Sequence, residues 1–97
     1  MKDFGLVSII TPAYNVEEYI EETILSVLGQ TYTNWELLIT DDCSTDATRR
    51  IVEYYTGKDN RIKLFVLTKN AGAGVARNHS IKQATGRFIA FCDSDDR

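Results

Sequence analysis

The sequence has 97 residues, enough for one domain with a single hydrophobic core and too few for two. Its net charge of −3, from 11 basic and 14 acidic residues, argues against non-specific nucleic-acid binding, which requires a basic surface. No apolar run approaches the ~20 residues of a membrane helix, and no signal peptide is apparent. We therefore expect a cytoplasmic protein, and we leave open peripheral contact with the inner membrane face for a full-length form.

The first predicted strand, Leu6–Ile10, is short and β-branched, and it lacks the alternation of a half-exposed strand. Thr11 and Pro12 should end it, because proline cannot continue a central ladder. Asn15 is predicted to cap the first helix, with Glu18 in the capping-box position. Apolar residues then recur at i, i+4, i+7 and i+8, which predicts one buried stripe. They are Ile20, Ile24, Val27 and Leu28.

Strands and helices continue to alternate along the rest of the chain. The later strands are predicted at Trp35–Thr40, Ile62–Leu67 and Phe88–Cys92, and the later helices from Ser44 or Thr45 to Tyr55 and from about Val75 to Ala84. The predicted inner residues are Ala47, Ile51 and Tyr54 or Tyr55 in the second helix, and the small residues Ala73, Ala76, Ser80 and Ala84 in the third. The order β-α-β-α-β-α-β predicts an α/β fold with a Rossmann-like, mostly parallel sheet of about four strands in a three-layer α/β/α arrangement.

The last predicted strand ends in a dense acidic run. Asp93, Asp95 and Asp96 fall within four residues, directly after an apolar segment that we interpret as buried. Neighbouring carboxylates repel and raise one another's pKa unless a cation lies among them. In an open α/β sheet, ligands bind outside the carboxyl ends of the strands, where these acids would lie. The run therefore suggests a metal–diphosphate site, although a solvated acidic loop is the simpler alternative.

Other polar residues also follow predicted strands. They are Thr11, Tyr14, Asp41, Asp42, Asp46, Asn70 and Arg77. If the sheet is parallel, they converge with the acidic run on one edge, where oxygen ligands suit Mg²⁺ or Mn²⁺. For Ser44 and Asp46 we prefer a structural role as helix caps.

Four segments together resemble the N-terminal half of a family 2 glycosyltransferase with a GT-A fold. They are Val7–Asn15, Leu38–Asp46, Asn70–Gly72 with Ala76–Asn78, and Asp93–Asp96. Any one of them is a weak signal, but they occur in the family's order and span nearly the whole chain. The resemblance implies that residues 1–97 form a single nucleotide-sugar-binding subdomain that stops before the acceptor-binding half.

The resemblance implies a site for a nucleotide-diphosphate sugar, most often a UDP-sugar. The residues expected in that site are Thr11, Pro12, Tyr14, Asp41, Asp42, Arg77, Asp93, Ser94 and Asp95. By analogy, Thr11 and Tyr14 line the base pocket, and Asp41 accepts a hydrogen bond from the uracil ring. Asp42 borders the ribose, and Arg77 contacts the nucleotide.

The acidic run corresponds to the DxD region of the family, whose last acids bind the ribose and a divalent metal, Mn²⁺ or Mg²⁺. Asp95 and Asp96 are both candidate metal ligands, and spacing does not choose between them. The implied reaction is glycosyl transfer with inversion, to a saccharide or lipid-linked hydroxyl. The resemblance places the general base beyond Arg97, so we expect no catalytic base in this chain, and an uncovered sheet edge could pair with a second copy.

Two other functions fit parts of the sequence. The segment Gly72–Arg77 follows a strand and opens a helix, as in dinucleotide-binding oxidoreductases. Arg77 occupies its third glycine position, however, and the segment follows the third strand instead of the first. A receiver-like signalling domain of flavodoxin type would have acids after the first strand, where this chain has Thr11–Ala13.

Overall fold

The computed structural model describes residues 5–93 of the chain. Its strands are β1 (Val7–Ala13), β2 (Trp35–Asp41), β3 (Ile62–Val66) and β4 (Phe88–Phe91), and its helices are α1 (Ile20–Leu28), α2 (Thr48–Thr56) and α3 (Ala73–Gln83). The longest helix, α3, has 11 residues. None of the helices within residues 5–93 combines the length and the apolar composition that a membrane span requires.

The four strands form one parallel sheet in the order β3-β2-β1-β4. Helices α1 and α2 cover one face, where Ile20 and Val52 pack in one cluster with Leu37 of β2. Helix α3 lies on the other face, where its Ser80 hydroxyl is 2.5 Å from the Thr40 hydroxyl of β2. The predicted three-layer α/β class is confirmed. Because β2 and β4 lie on opposite sides of β1, the chain changes direction across the sheet beside β1.

The apolar spacing of α1 was read correctly, but the prediction of four small inner residues in α3 holds only in part, because Ala73 is exposed and Ala84 follows the helix and is half-buried. Ile20, Ile24 and Val27 are buried against the sheet, as their spacing predicts. Ala76 and Ser80 are the buried residues of α3. Their small side chains let α3 lie close to β1 and β2, the two strands it contacts most.

The inner face of α2 agrees with the prediction only in part: Ile51 and Tyr55 pack against the hydrophobic core, whereas Ala47 precedes the helix. Thr48 and Val52 are the buried residues of this helix. Ile51 and Tyr55 are only partly buried, and Tyr54 is 59% exposed. The prediction counted only apolar side chains, whereas the Thr48 hydroxyl is buried because it accepts a hydrogen bond from a backbone N–H of the β1–α1 loop.

Strand β1 continues through Pro12 to Ala13, so the predicted end after Ile10 is wrong. Ile10 accepts a hydrogen bond from Cys92 on the β4 side, and Pro12, two residues later, faces the same side. Pairing between β1 and β4 ends at Phe91. Pro12 therefore stays in the strand because its missing N–H lies beyond the end of the neighbouring ladder.

The predicted capping box of α1 does not form. Asn15 adopts a left-handed φ of 51°, and the residue before α1 is Tyr19, which makes no side-chain cap hydrogen bond. The Asn15 side-chain oxygen instead accepts a 2.8 Å hydrogen bond from the N–H of Thr45. Helix α2 correspondingly begins at Thr48, later than predicted, because the residues before it contact the β1–α1 loop.

Strand β4 is exposed in the described part of the chain, which contradicts its predicted burial. Phe88, Ile89 and Phe91 are 47%, 46% and 60% exposed. The reason is topological: β4 pairs only with β1 within residues 5–93, and α3 packs mainly over β1 and β2. An apolar run alone does not show whether a strand lies at the centre or at the edge of a sheet.

We predict that Gly86→Ala destabilises the fold. A Cβ atom at Gly86 would lie 2.5 Å from the Ser8 hydroxyl and 2.8 Å from both the Leu6 carbonyl oxygen and the Ser8 nitrogen. Such overpacking costs about 1–3 kcal/mol of unfolding free energy, measurable by urea denaturation. The control is Gly74→Ala in α3, where nothing lies within 4 Å and the added Cβ favours the helix. Equal stability of the two variants would contradict the prediction.

Candidate functional site

A cavity of about 380 Å³ opens beside β1 at the carboxyl edge of the sheet. It is lined by Pro12, Ala13, Tyr14 and Val16 from β1 and the loop after it, by Asp42 after β2, by Asn70, Gly72, Ala73, Ala76 and Arg77 from the start of α3 and the loop before it, and by Asp93 after β4. The cavity thus lies at the point where the sheet changes winding direction, the usual ligand position in open α/β sheets. Its volume is in the range of small-molecule sites.

The structure brings together half of the predicted site residues. Those that line the cavity are Pro12, Tyr14, Asp42, Arg77 and Asp93. Thr11 and Asp41 do not line it. Ser94, Asp95 and Asp96 lie outside the described residues, so their predicted roles stay predictions.

Thr11 and Asp41 are both almost completely buried, at 0% and 1% exposure. The Thr11 hydroxyl has no hydrogen-bond partner among the described residues. The Asp41 carboxylate accepts hydrogen bonds from both the N–H, at 3.1 Å, and the hydroxyl of Ser44. Asp41 therefore stabilises the loop after β2. This structural role was not predicted, since only a contact with a uracil ring was expected for Asp41.

Asp42 binds the loop that precedes α3. Its carboxylate accepts hydrogen bonds from the N–H groups of Ala71 and Gly72, at 2.8 and 2.9 Å, and from the Asn70 amide at 3.1 Å. Asp42 itself is 2% exposed. A buried carboxylate with three donors of this kind is well satisfied, and it orders the loop that forms one wall of the cavity. Gly72, with a φ of 99°, is the residue type that this loop conformation favours.

Arg77 and Asp93 approach each other across the cavity. Their closest side-chain atoms, Nη2 and Oδ1, are 3.5 Å apart, and both side chains are partly exposed. Tyr14, 46% exposed, presents an aromatic ring at the same opening. An aromatic face, a guanidinium and a carboxylate can respectively stack on a base, bind a phosphate and bind a hydroxyl or a cation.

The loops after β1 and β2 are joined by reciprocal hydrogen bonds, and we call residues 15–17 and 44–48 together the loop junction. Asp46 accepts from the N–H of Glu17 at 3.3 Å, and Glu17 accepts from the N–H of Ala47 at 2.9 Å. The Thr48 hydroxyl accepts from the N–H of Val16 at 2.8 Å. These contacts fix the β1–α1 loop, which carries Tyr14 and Val16 into the cavity.

The loop junction was only partly foreseen from the sequence. Asp46 does bind the start of α2, since it accepts a 2.9 Å hydrogen bond from the N–H of Thr48, but Ser44 does not cap that helix. The Ser44 hydroxyl accepts instead from the N–H of Asn15, 29 residues earlier. Asn70 was recognised as a strand-end residue, but its contact with Asp42 was not. The polar run before α2 was a possible signal, because it holds more capping residues than one helix needs.

Within residues 5–93 no group of three or more His, Cys, Asp or Glu side chains could hold a metal ion. Asp93 is the acid of the predicted run that the structure describes, and its carboxylate lies at the cavity next to Arg77. Oxygen donors of this kind suit Mg²⁺ or Mn²⁺. One carboxylate does not make a metal site, so a metal at this edge depends on the acids that follow Asp93.

Comparison with known proteins gives one consistent result. The family model described as "Glycosyl transferase family 2" matches residues 8–97. The chain is 55% identical over 97 residues to the UDP-Glc:alpha-D-GlcNAc-diphosphoundecaprenol beta-1,3-glucosyltransferase WfgD of Escherichia coli, covering 99% of this chain and 37% of WfgD. It spans about a third of the length of WfgD and of a second curated relative, 37% and 36%.

Two solved structures share the fold. TarS 1-349 of S. aureus, in complex with UDP, superposes with a TM-score of 0.85 at 44% identity, over 92% of this chain and 27% of that one. The mannosyltransferase PcManGT of Pyrobaculum calidifontis, in complex with GDP-Man and Mn²⁺, superposes with a TM-score of 0.87 at 28% identity, over 94% and 28%. The fold is therefore that of nucleotide-sugar-dependent transferases.

We predict that the contribution of Asp46 to stability is lost in acid. Burial raises the pKa of Asp46, but the hydrogen bonds from Thr48 and from the N–H of Glu17 outweigh it and lower the pKa overall. Stability from a carboxylate of this kind is present above the unfolded-state pKa of about 3.9 and is lost as the pH falls through the lower folded-state value. Asp46→Asn should therefore lower the unfolding free energy at neutral pH, and its difference from wild type should shrink in acid.

The measurement is urea denaturation of both proteins between about pH 7 and pH 3. Asn15→Gly is the matched control, because it removes a non-titrating acceptor of the loop junction and keeps a residue suited to the left-handed φ. The cost of the Asn15 variant should not depend on the ionisation of its own side chain. A pH-independent cost of Asp46→Asn would contradict the prediction.

Proposed function

Since the chain belongs to glycosyl transferase family 2, we propose that it forms the nucleotide-sugar site of an inverting glycosyltransferase that uses a UDP-sugar. The observation that carries the proposal is the cavity beside β1, where an aromatic ring, an arginine and a carboxylate from three separate elements meet. The 0.85 superposition on TarS, which was solved with UDP, supports the same ligand class. We propose residues 1–97 as one subdomain with this task.

In this proposal the nucleotide lies along the carboxyl ends of β1 and β2. Tyr14 and Pro12 face the base, and Arg77 contacts the nucleotide through its guanidinium. Asp42 acts chiefly by ordering residues 70–72, because its carboxylate already accepts three hydrogen bonds from that loop. A direct contact with the ribose would use its remaining acceptor capacity.

The deeper contacts that the resemblance implies for Thr11 and Asp41 stay part of the proposal. Asp41 pairs in register with Ala13, which lines the cavity, so a ring seated against Ala13 would lie beside the end of β2. A uracil N–H is a donor, and a carboxylate that holds only two hydrogen bonds can accept another. Thr11 lies two residues before Ala13, so the two side chains are on the same face of β1.

We propose that Asp93, Ser94 and Asp95 continue the nucleotide-sugar site and that Asp95 or Asp96 binds a divalent metal, Mn²⁺ or Mg²⁺. Three carboxylates in four residues suit a hard cation. PcManGT was solved with GDP-Man and Mn²⁺, which supports a metal in this type of site. When bound, the ion supplies Lewis-acid stabilisation of the negative charge on the leaving diphosphate.

The proposed reaction is the transfer of a sugar to a hydroxyl group with inversion at the anomeric carbon. In this proposal Arg77, which lies beside Asp93, balances part of the diphosphate charge. A carboxylate acting as general base would accept the proton of the attacking hydroxyl. We propose a saccharide or lipid-linked acceptor, because the name of WfgD gives a GlcNAc-diphosphoundecaprenol acceptor for that protein.

Titration calorimetry with UDP tests the proposed function. We expect binding in the presence of Mn²⁺ and a loss of at least about tenfold in affinity without a divalent metal, equivalent to about 1.4 kcal/mol. NAD is the matched control ligand, because it also carries a nucleoside diphosphate but belongs to dinucleotide-binding domains. Preference for NAD, or no binding of UDP, would refute the proposal.

The metal assignment predicts a specific mutational pattern. Asp95→Ala and Asp96→Ala should each weaken Mn²⁺-assisted UDP binding, with a loss of about tenfold or more for the metal ligand. Asp59→Ala is the control, because Asp59 lies before β3 at the other end of the sheet and contacts Arg61. Calorimetry of the three variants should separate the acidic run from the control. Equal losses in all three would remove the metal assignment.

A further inference from the structure

Glu36 is a buried carboxylate at the edge of the sheet opposite the cavity. It is the second residue of β2 and is 4% exposed. Its Oε2 atom accepts hydrogen bonds from the Ser8 hydroxyl at 2.6 Å and from the N–H and hydroxyl of Thr85 at 2.8 and 3.1 Å. Lys63, which is half-exposed, lies 3.4 Å from Oε1. None of these partners lines the cavity, so Glu36 does not contact a ligand there.

The contacts of Glu36 hold the turn between α3 and β4. Besides Thr85, the next residue is held as well, because the Ser8 hydroxyl that donates to Glu36 accepts a 2.8 Å hydrogen bond from the N–H of Gly86. The N–H of Arg87 then donates to the Leu6 carbonyl at 2.8 Å. Glu36 and Ser8 thus fix the two residues that lead into the first ladder contact of β4.

Apart from its ladder with β1, the close packing of Gly86 and the ion pair of Asp93 with Arg77, strand β4 has few contacts within residues 5–93 that fix its register. Its large side chains are about half-exposed, and it pairs only with β1. Register is strongly specified where one face of a strand is buried and weakly specified where neither is. A shift by one residue moves a strand about 3.3 Å and turns each side chain to the other face. Such a shift would move Asp93, two positions after β4, away from the cavity that it lines.

We propose that Glu36 is a positioning residue that sets the register of β4 through the Thr85–Gly86 turn and thereby places Asp93 at the cavity. The link between β4 and ligand binding rests on the proposed function, whereas the register itself does not. Hydrogen bonds with Ser8, Thr85 and Lys63 lower the pKa of Glu36 despite its burial, which raises it. The group therefore carries the charge that suits its donors, all of which are N–H or O–H groups.

Amide hydrogen exchange of Glu36→Met tests the register directly. The methionine side chain has nearly the same length but no acceptor oxygen, whereas glutamine would keep one oxygen for the three donors that converge on Oε2. We expect exchange of the Cys92 N–H, which donates to Ile10 of β1, to accelerate about tenfold or more. Exchange of the Asp42 N–H, which donates to Ala13 in the β1–β2 pair, should change much less.

Lys63→Met is the matched control, because it removes only the longest and most exposed contact and should leave both amides unchanged. If Glu36→Met does not fold, the same comparison is made with Ser8→Ala, which removes the hydroxyl that links Glu36 to the N–H of Gly86. Equal acceleration at both amides, or none at the Cys92 amide, would overturn the proposal, because Glu36 would then contribute only general stability.

A second measurement carries the inference to the ligand. Glu36→Met should weaken UDP binding with Mn²⁺ by about fivefold or more, although the carboxylate lies at the far edge of the sheet. If the unchanged protein binds no UDP, the proposed function fails, while the exchange comparison still decides the register. If UDP binds the variant with unchanged affinity, Glu36 does not position the ligand site.

Discussion

Strand β2 holds both ends of the α3 crossover with carboxylates, and the carboxyl edge of the sheet depends on this. Asp42, directly after β2, binds the backbone of residues 70–72 before α3. Glu36, near the start of β2, binds the backbone of Thr85 after α3. Between them, the Thr40 hydroxyl meets that of Ser80 in the middle of the helix. The side chains of Glu36, Asp42, Thr40 and Ser80 are buried, whereas residues 70–72 and Thr85 are exposed. Each contact therefore has at least one partner shielded from solvent, which strengthens it electrostatically.

Polar contacts determine the position of α3 because this helix has little apolar surface to bury. Its buried side chains are Ala76 and Ser80, and Val75 is 51% exposed. A helix such as α1, with three buried aliphatic residues, is positioned by the area it removes from water. Helix α3 gains less from burial, and its place is set by hydrogen bonds whose geometry is directional. Removing one partner of such a buried contact costs the desolvation of the other as well.

This difference between apolar burial and specific hydrogen bonds explains which parts of the fold and of the site could be predicted from the sequence. Apolar spacing identifies α1, and the order of elements identifies the parallel sheet, because both depend on burial patterns within short windows. The roles of Asp42 and Asp46 depend on partners that are close in space but distant in sequence, such as Glu17 and Asp46, 29 residues apart. Acids at strand ends therefore suggest a ligand site, although some of them instead stabilise loops through hydrogen bonds.

The predictions that β4 is buried and that β1 ends before Pro12 were wrong for related reasons. The apolar run of β4 looks like a central strand, but its exposure depends on what lies beside it, which no local pattern records. Pro12 looks like a strand end, but it faces the side of β1 where β4 has already stopped. In both cases the deciding quantity is the position of a neighbouring strand, and that position follows from the crossover that β2 holds.

The ion pair between Arg77 and Asp93 is where the two ends of this crossover meet. Arg77 lies on α3, one turn after the loop that Asp42 orders, and Asp93 follows β4, whose entry Glu36 orders. Their 3.5 Å separation thus depends on two buried carboxylates, one near the start of β2 and one directly after its end. A ligand with its own negative charge would compete with Asp93 for Arg77, and a cation would compete with Arg77 for Asp93. A bound metal–diphosphate supplies both charges at once, so it can replace the ion pair without leaving either group uncompensated.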